Sequence, residues 1–334
     1  MQLVVLGGFY LNSALEHLGH KVYSVGFEPL ANWHITRPFS SSELLAKLQI
    51  EQIDADGFFY CDNGNLPLLV DPQNLPNASI WYSIDTYCNP WHIPYGHGFD
   101  LTLVGQKDFV PLFAAEGIAC AWFPLFCGAQ LIAPSSTTRD IPVSFVGTLE
   151  HKNNPKRKPF LLKFKQYYPL VMLQGNFAPI FRRSLIVLNQ AAFGEVNFRC
   201  FEALACGSAL LTEDCANGLR ELFKVGVEIL PPYPHNDAIS AASIARSYLA
   251  NREALSEIAK AGKMAVYERH TDDVRAKSLI EYFTTLQATC AFKKRLTEEY
   301  VRRTQLLKSA FGILVCDLAQ DMAHYANFYA RLCK

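Results

Sequence analysis

Residues 196–219 read VNFRCFEALACGSALLTEDCANGL and carry the chain's most suggestive grouping of charged and small residues. Arg199 and Glu202 open an apolar, helix-like run that closes at Cys206-Gly207. With Asn197 as N-cap and Phe198 as the first helical residue, Arg199, Glu202 and Cys206 share one face, at i, i+3 and i+7. Phe198, Phe201 and Ala205 form a second face suited to a core. An arginine in the first turn opposes the helix dipole, so something other than helix stability is expected to place it. The plain alternative is a local Arg199–Glu202 ion pair, worth about 0.2–0.5 kcal/mol. SALLT then reads as a strand, and Ala216-Asn217-Gly218 as a turn into another helix. A carboxylate for ribose hydroxyls and an amide-lined turn for phosphates together suit a nucleoside diphosphate. A capped helix start explains Asn217-Gly218 equally well.

Two groups elsewhere could move a proton. Asp85 ends the strand-like SIWYSI, and His97 lies between Gly96 and Gly98. Either could act as a base on a hydroxyl nucleophile. A turn-capping aspartate and a loop histidine are the structural alternatives. The aromatic stretch WYSIDTYCNPWHIPYGHGF (81–99) could stack on a sugar ring or build a local core. Gly7-Gly8 stands in GGFYLN, which is not the GxGxxG of a nicotinamide site. No CxxC pair and no zinc-ligand spacing occurs, so no metal site is expected.

Alternating strands and helices must position these groups. LVVLG (3–7), KVYSVG, GFFYC (57–61), SIWYSI (79–84), DLTLVG (100–105) and ACAWFP (119–124) are strand-like. Helical patterns fall between them, around Leu11–Leu18, Ser42–Leu48 and Asp108–Ala115. Residues 125–140, LFCGAQLIAPSSTTRD, are rich in turn residues and mark a domain break. The pattern then restarts with PVSFVG, a basic helical segment from Pro155 to Tyr167, PLVMLQG and SLIVLN. After SALLT come a helix at Leu219–Lys224, a strand at GVEIL (226–230), and helices from Asp237 to Leu286. This predicts an α/β fold of two doubly wound, parallel-sheet domains followed by helices.

The 334 residues are half hydrophobic, with 31 basic and 31 acidic side chains. That composition fits a globular chain and gives no charge argument for binding nucleic acid. No apolar run approaches the roughly 18–20 residues of a membrane span, and the amino terminus lacks a signal peptide's basic start. Ten scattered cysteines read as free thiols, so a cytoplasmic location is expected. The tail places Leu296, Tyr300, Leu307, Phe311, Leu314, Leu318, Met322, Tyr325, Tyr329 and Leu332 at near-helical spacing, with Gly312 as a candidate interruption. Such a stripe suits a helix or hairpin packed on the body, or a homodimer surface. Its basic start, Lys293-Lys294-Arg295, suits a peripheral membrane contact.

RCFEALACGSALLTE, NGLRELF and VGVEIL, in that order, resemble the carboxyl-terminal half of GT-B glycosyltransferases, in particular the CgeB-like group related to a spore-maturation protein. FVGTLEHKNNPKRK, SLIVLNQ, YLANREALSEIAKAGKMAVYERHTDDVRA, WYSIDTYCN and FDLTLVGQKDFVPLF resemble further segments of that group. The resemblance implies two Rossmann-like domains facing a cleft: 1–130 for the acceptor, 141–290 for the donor, and 291–334 as a helical extension. It implies transfer of a sugar from a nucleotide-diphosphate donor to a surface glycan, lipid-linked glycan or protein acceptor, with no metal and no separate cofactor. Glu202 would bind the ribose. Arg199, Lys152 and Arg157 would approach the diphosphate or sugar, and Asn217 and Gly218 would offer amides to phosphate. Gly147 would allow close approach. Asn189 and Thr212, at strand ends, complete the donor set. Related retaining enzymes carry a second glutamate, but the position eight before Glu202 is Gly194, with Glu195 one residue off. Two rival readings are a non-catalytic sugar-nucleotide-binding module and an epimerase on the same architecture.

Overall fold

The computed structural model describes residues 1–132, 137–150, 152–318 and 322–333. Residues 133–136 of the turn-rich break, His151 of the basic loop, and residues 319–321 and Lys334 of the tail lie outside the described residues. The chain forms two compact units, residues 1–124 with 275–334, and residues 125–274.

Among the described residues, the first unit holds seven strands: β1 (Gln2–Gly7), β2 (Lys21–Gly26), β3 (Trp33–His34), β4 (Gly57–Cys61), β5 (Ala78–Ser83), β6 (Leu101–Val104) and β7 (Cys120–Trp122). They run parallel in the order β3-β2-β1-β4-β5-β6-β7. The order reverses at β1, as in doubly wound folds. β4 and β5 are buried along their whole length, which explains why GFFYC and ASIWYS lack polar alternation. β3 has only two residues, too short to leave a pattern in the sequence.

The second sheet comprises β8 (Ile141–Val146), β9 (Val171–Leu173), β10 (Ser184–Leu188) and β11 (Ala209–Leu211), parallel in the order β11-β10-β8-β9. The helix Phe198–Ala205 follows β10, as its sequence pattern requires, and buries Cys200, Phe201, Ala203, Leu204 and Ala205. Gly207 ends it at φ +77°, where its amide bonds Leu204 O at 2.8 Å and Ser208 N bonds Ala203 O at 3.1 Å. That left-handed cap returns the chain to β11.

The expected strand at GVEIL does not form. Gly226 turns at φ +77° and donates to Ile229 O at 2.8 Å, so the segment closes on itself. Glu228 fixes the turn by accepting from Lys224 N and from Arg269 Nη2, at 2.9 and 2.8 Å. The β-branched run was a poor guide because a left-handed glycine heads it.

The tail forms helices Ala291–Leu296, Tyr300–Asp317 and Ala323–Leu332. Gly312 does not interrupt the second of these. Leu307, Phe311, Leu314 and Tyr329 join the core of the first unit, where Phe311 stacks on Tyr329 at 5.7 Å and meets Tyr95 at 6.4 Å. Much of the tail's apolar stripe is therefore spent within the first unit. No helix among the described residues is long and apolar enough to cross a membrane.

Candidate functional sites at the two sheet edges

In a parallel sheet the ligand-facing edge is the carboxyl end of the strands. At that edge of the second sheet, Arg199 reaches back from its helix to the end of β8. Its Nε donates to Val146 O at 3.0 Å and its Nη1 to Asn189 Oδ1 at 2.8 Å. The guanidinium lies 4.4 Å from the centre of the Phe145 ring. A Cβ on Gly147 would fall 2.2 Å from Arg199 Nη2. Glycine at 147 therefore makes room first for this arginine. Burial, then the charge of Arg157, lowers the Arg199 pKa to about 10, which still leaves it charged at neutral pH.

Arg157 comes to the same ring at 5.8 Å from the basic helix after β8. It donates to Thr148 O at 3.0 Å and to the side chain and backbone of Gln190 at 3.2 and 3.3 Å. Asn189 is fully buried behind both. Its Oδ1 serves Arg199, and its Nδ2 donates to Thr212 Oγ1 at 3.0 Å. Asn189 and Thr212 are thus joined in a network that positions Arg199.

Glu202 stands one turn along from Arg199. Its carboxylate accepts no hydrogen bond among the described residues, and Arg199 is its one charged partner there. Burial raises its pKa from 4.5 to about 7, opposed by Arg199. The carboxyl penalty is absent below the unfolded value of 4.5, grows as pH rises from 4.5 to about 7, and stays constant above. Glu202→Gln is therefore expected to stabilise the fold by about 1–2 kcal/mol near pH 8, after discount for solvent screening, and to change little near pH 4. Chemical denaturation of both forms at the two pH values measures it.

The remaining donor-side residues are placed differently. Glu195 is buried, and its two oxygens accept from Ala192 N and Phe193 N at 2.9 and 2.7 Å, so it braces its own loop. Gly194 beside it adopts φ +78°. Asn217 is buried. Gly218 donates its amide to Ala216 O at 2.7 Å, so that N–H is already used. The helix after it, Leu219–Leu222, is a single turn and supplies little dipole. Lys152 is exposed and lines a groove of about 460 Å³ with Glu150 and Lys158. Sequence reasoning missed Glu213, buried at the end of β11. It accepts from Ala191 N at 3.3 Å and Asn236 N at 2.9 Å, and faces His235 at 3.5 Å. Burial raises its pKa.

At the same edge of the first sheet, Asp85 follows β5 and accepts from Tyr87 Oη at 2.9 Å. Asp62, which follows β4, holds this strand end: its Oδ2 accepts from Ile84 N and Asp85 N at 3.2 and 3.0 Å. His92 bonds Ser83 Oγ through Nδ1 at 2.9 Å and keeps Nε2 3.9 Å from Asp62. Burial lowers its pKa to about 4, so it is neutral. Asp62 was absent from the sequence reading, although the parallel pairing of β4 with β5 puts their ends side by side.

His97 does not join Asp85. It precedes β6, and β6 runs parallel to β5, so His97 lies at the opposite, amino edge of the sheet. Burial and the charges of Arg303 and Arg302 lower its pKa to about 4. The aromatic stretch is local core: Trp81, Trp91, Tyr95 and Phe99 are buried, with Trp81 stacked on Trp91 at 6.2 Å and on Phe99 at 5.9 Å. Among the described residues, no group of three or more His, Cys, Asp or Glu could hold a metal ion.

Residues 129–281 match the glycosyl transferase-like family model. That span covers the second sheet and both of its arginines. No curated protein sequence matches the chain. Among solved structures, the chain is similar to Alr3699/HepE of Anabaena in complex with UDP-glucose, at 12% identity and TM-score 0.63, covering 86% of this chain and 100% of that one. A glycosyltransferase from Rickettsia africae is similar at 9% identity and TM-score 0.59, over 85% and 98% of the two chains. An Escherichia coli trehalose-6-phosphate protein bound with UDP-2-fluoro glucose is similar at 12% identity and TM-score 0.60, over 85% and 99%. At these identities the likeness establishes the fold, two Rossmann-like units of the GT-B type with a carboxyl-terminal helical extension.

Proposed function

We propose that the chain is a nucleotide-sugar-dependent glycosyltransferase of the CgeB-like type. The observation that carries this reading is the pairing of Arg157 and Arg199 on the Phe145 ring, one helical turn from the unpartnered Glu202 carboxylate. Two fixed cations answer the charge that grows on a nucleoside-diphosphate leaving group as the glycosidic bond breaks. Glu202 accepts the ribose hydroxyls. In this reading Lys152 and the loop amide of Asn217 add to the donor's phosphate contacts. The donors seen with the structural neighbours, UDP-glucose and UDP-2-fluoro glucose, have this chemistry. Asp85, on the strand end fixed by Asp62, is the candidate base toward an acceptor hydroxyl on a glycan, a lipid-linked glycan or a protein. His97 takes no part.

One observation favours a second reading, a binding module without turnover. Gly194 and the loop-bound Glu195 leave no free second glutamate where related retaining enzymes keep one. Incubation with UDP-, GDP-, dTDP- and ADP-sugars separates the two. Release of nucleotide with transfer of the sugar supports the enzyme, and binding without release or transfer supports the module. Within either reading, Glu202→Ala is expected to weaken nucleotide-sugar binding by about 10- to 100-fold, the worth of a charged hydrogen bond. Unchanged affinity by calorimetry in a folded variant would remove Glu202 from the ribose site. Full transfer activity in Asp85→Asn would remove Asp85 as the base.

A further inference from the structure

His97, set aside from the chemistry above, has a surrounding of its own. It lines a cavity of about 40 Å³ at the amino edge of the first sheet, with Gly117, Glu299, Arg302 and Arg303. The residue is 6% exposed, and neither ring nitrogen makes a hydrogen bond among the described residues. Its ring nitrogens are not sealed off, so the imidazole is open to whatever occupies the cavity. The cavity exceeds the roughly 10–15 Å³ that a single water needs.

The charges around it are uneven. Arg303 is fixed there, donating to His97 O and Phe99 O at 3.0 and 2.6 Å and pairing with Glu299 at 2.7 Å. Glu299 is shared with Lys294, also at 2.7 Å. Arg302, by contrast, is exposed and makes no hydrogen bond or ion pair among the described residues. Its Nη2 lies 3.9 Å from where a Cβ on Gly117 would stand, so the guanidinium borders this glycine without being crowded by it. One free planar fork, one free imidazole and one anchored arginine face the same small space, against a single carboxylate already neutralised twice. That combination suits a tetrahedral oxyanion.

We propose that His97 and Arg302, backed by Arg303, form a binding site for a phosphate group on the first unit, separate from the donor and acceptor residues. Arg302 donates two hydrogen bonds to phosphate oxygens and His97 donates one. The phosphate is either a free ion or the headgroup of an anionic lipid. The basic start of the tail, Lys293-Lys294, allows the second source.

Titration of the full chain with inorganic phosphate, followed by calorimetry, tests the site. Saturable binding is expected, weakened by at least about tenfold in Arg302→Ala. Arg302 is exposed, so that variant keeps its fold, and His97→Ala provides a second, buried probe of the same loss. Sedimentation with phosphatidylcholine vesicles, with and without phosphatidic acid, distinguishes the sources. Capture that depends on both phosphatidic acid and Arg302 supports the site with a lipid headgroup as its ligand. Arg302-dependent phosphate binding without capture supports it with free phosphate. Phosphate binding that survives Arg302→Ala unchanged overturns the proposal, as does the absence of both phosphate binding and Arg302-dependent capture.

Discussion

Arg199→Ala is expected to lower sugar transfer by about 10²- to 10³-fold, the scale of removing one preorganised charge-stabilising donor. The loss follows from where the guanidinium is held. Val146 O and Asn189 Oδ1 fix two of its nitrogens, the Phe145 ring lies 4.4 Å from it, and Gly147 leaves it space. A cation held this firmly reorganises little as charge develops on the leaving diphosphate. The substitution also strips Asn189 Oδ1, fully buried, of its donor, at a cost of about 1–3 kcal/mol. Arg199→Lys separates the two effects. It keeps the positive charge but cannot make both bonds in the same geometry. Its expected result is a fold close to the parent's with transfer still reduced by at least about tenfold. Gly147→Ala should reproduce the defect without touching any charge, because its Cβ would displace the guanidinium. Steady-state transfer rates, read alongside thermal denaturation of each variant, check the three predictions together.

The second large effect concerns the tail. Arg295 is fully buried and makes five hydrogen bonds: two to the Asp100 carboxylate at 2.8 and 3.1 Å, and three to the carbonyls of Gln73, Leu75 and Asn77 at 2.7, 2.8 and 2.9 Å. Asp100 in turn accepts from Ser79 N at 2.9 Å, at the start of β5. This one side chain ties the first tail helix to the amino edge of the sheet. Arg295→Ala leaves a buried carboxylate without its counter-ion and three carbonyls without this donor, and should destabilise the first unit by about 3–5 kcal/mol. Replacing Arg295 and Asp100 together with Met and Asn should recover part of that loss, since no uncompensated charge then remains. Urea denaturation of the single and double variants measures both. Equal stability of Arg295→Ala and the parent would mean that the tail is not held at this point.

The sequence was informative where a residue's environment is local. Ten of the eleven strands among the described residues fall in segments that read as strand-like in the sequence, and the eleventh is the two-residue β3. The helix Phe198–Ala205 starts after Asn197, although that side chain makes no capping bond, and it ends at the left-handed Gly207. GVEIL, conversely, has a strand's composition but forms none: it is headed by a left-handed glycine and pinned by Glu228, whose partner Arg269 is distant in sequence. Partners of that kind were out of reach of the sequence. Arg199 stood out because an arginine opposes the dipole of a helix's first turn, yet nothing named Val146 or Asn189 as its acceptors. The tail's stripe implied a buried face but not the wall it meets, which is supplied by Tyr95 and the first core. As candidate bases, Asp85 stands first in the sequence and His97 second. Only the parallel direction of β5 and β6 separates them, and that direction follows from connectivity rather than from either residue.

Glu202 carries a cost to stability that a bound nucleotide-sugar would offset. A carboxylate that burial raises to about 7 costs the fold at neutral pH, and no neighbour but Arg199 offsets that cost. The decisive question is what fills the space in front of Arg157, Arg199 and Glu202. A crystal structure of the chain soaked with UDP or another nucleoside diphosphate tests this most directly. The expected result is a diphosphate against the guanidiniums of Arg157 and Arg199, with ribose hydroxyls on the Glu202 carboxylate. A nucleotide bound elsewhere, or one whose diphosphate touches neither arginine, would contradict it.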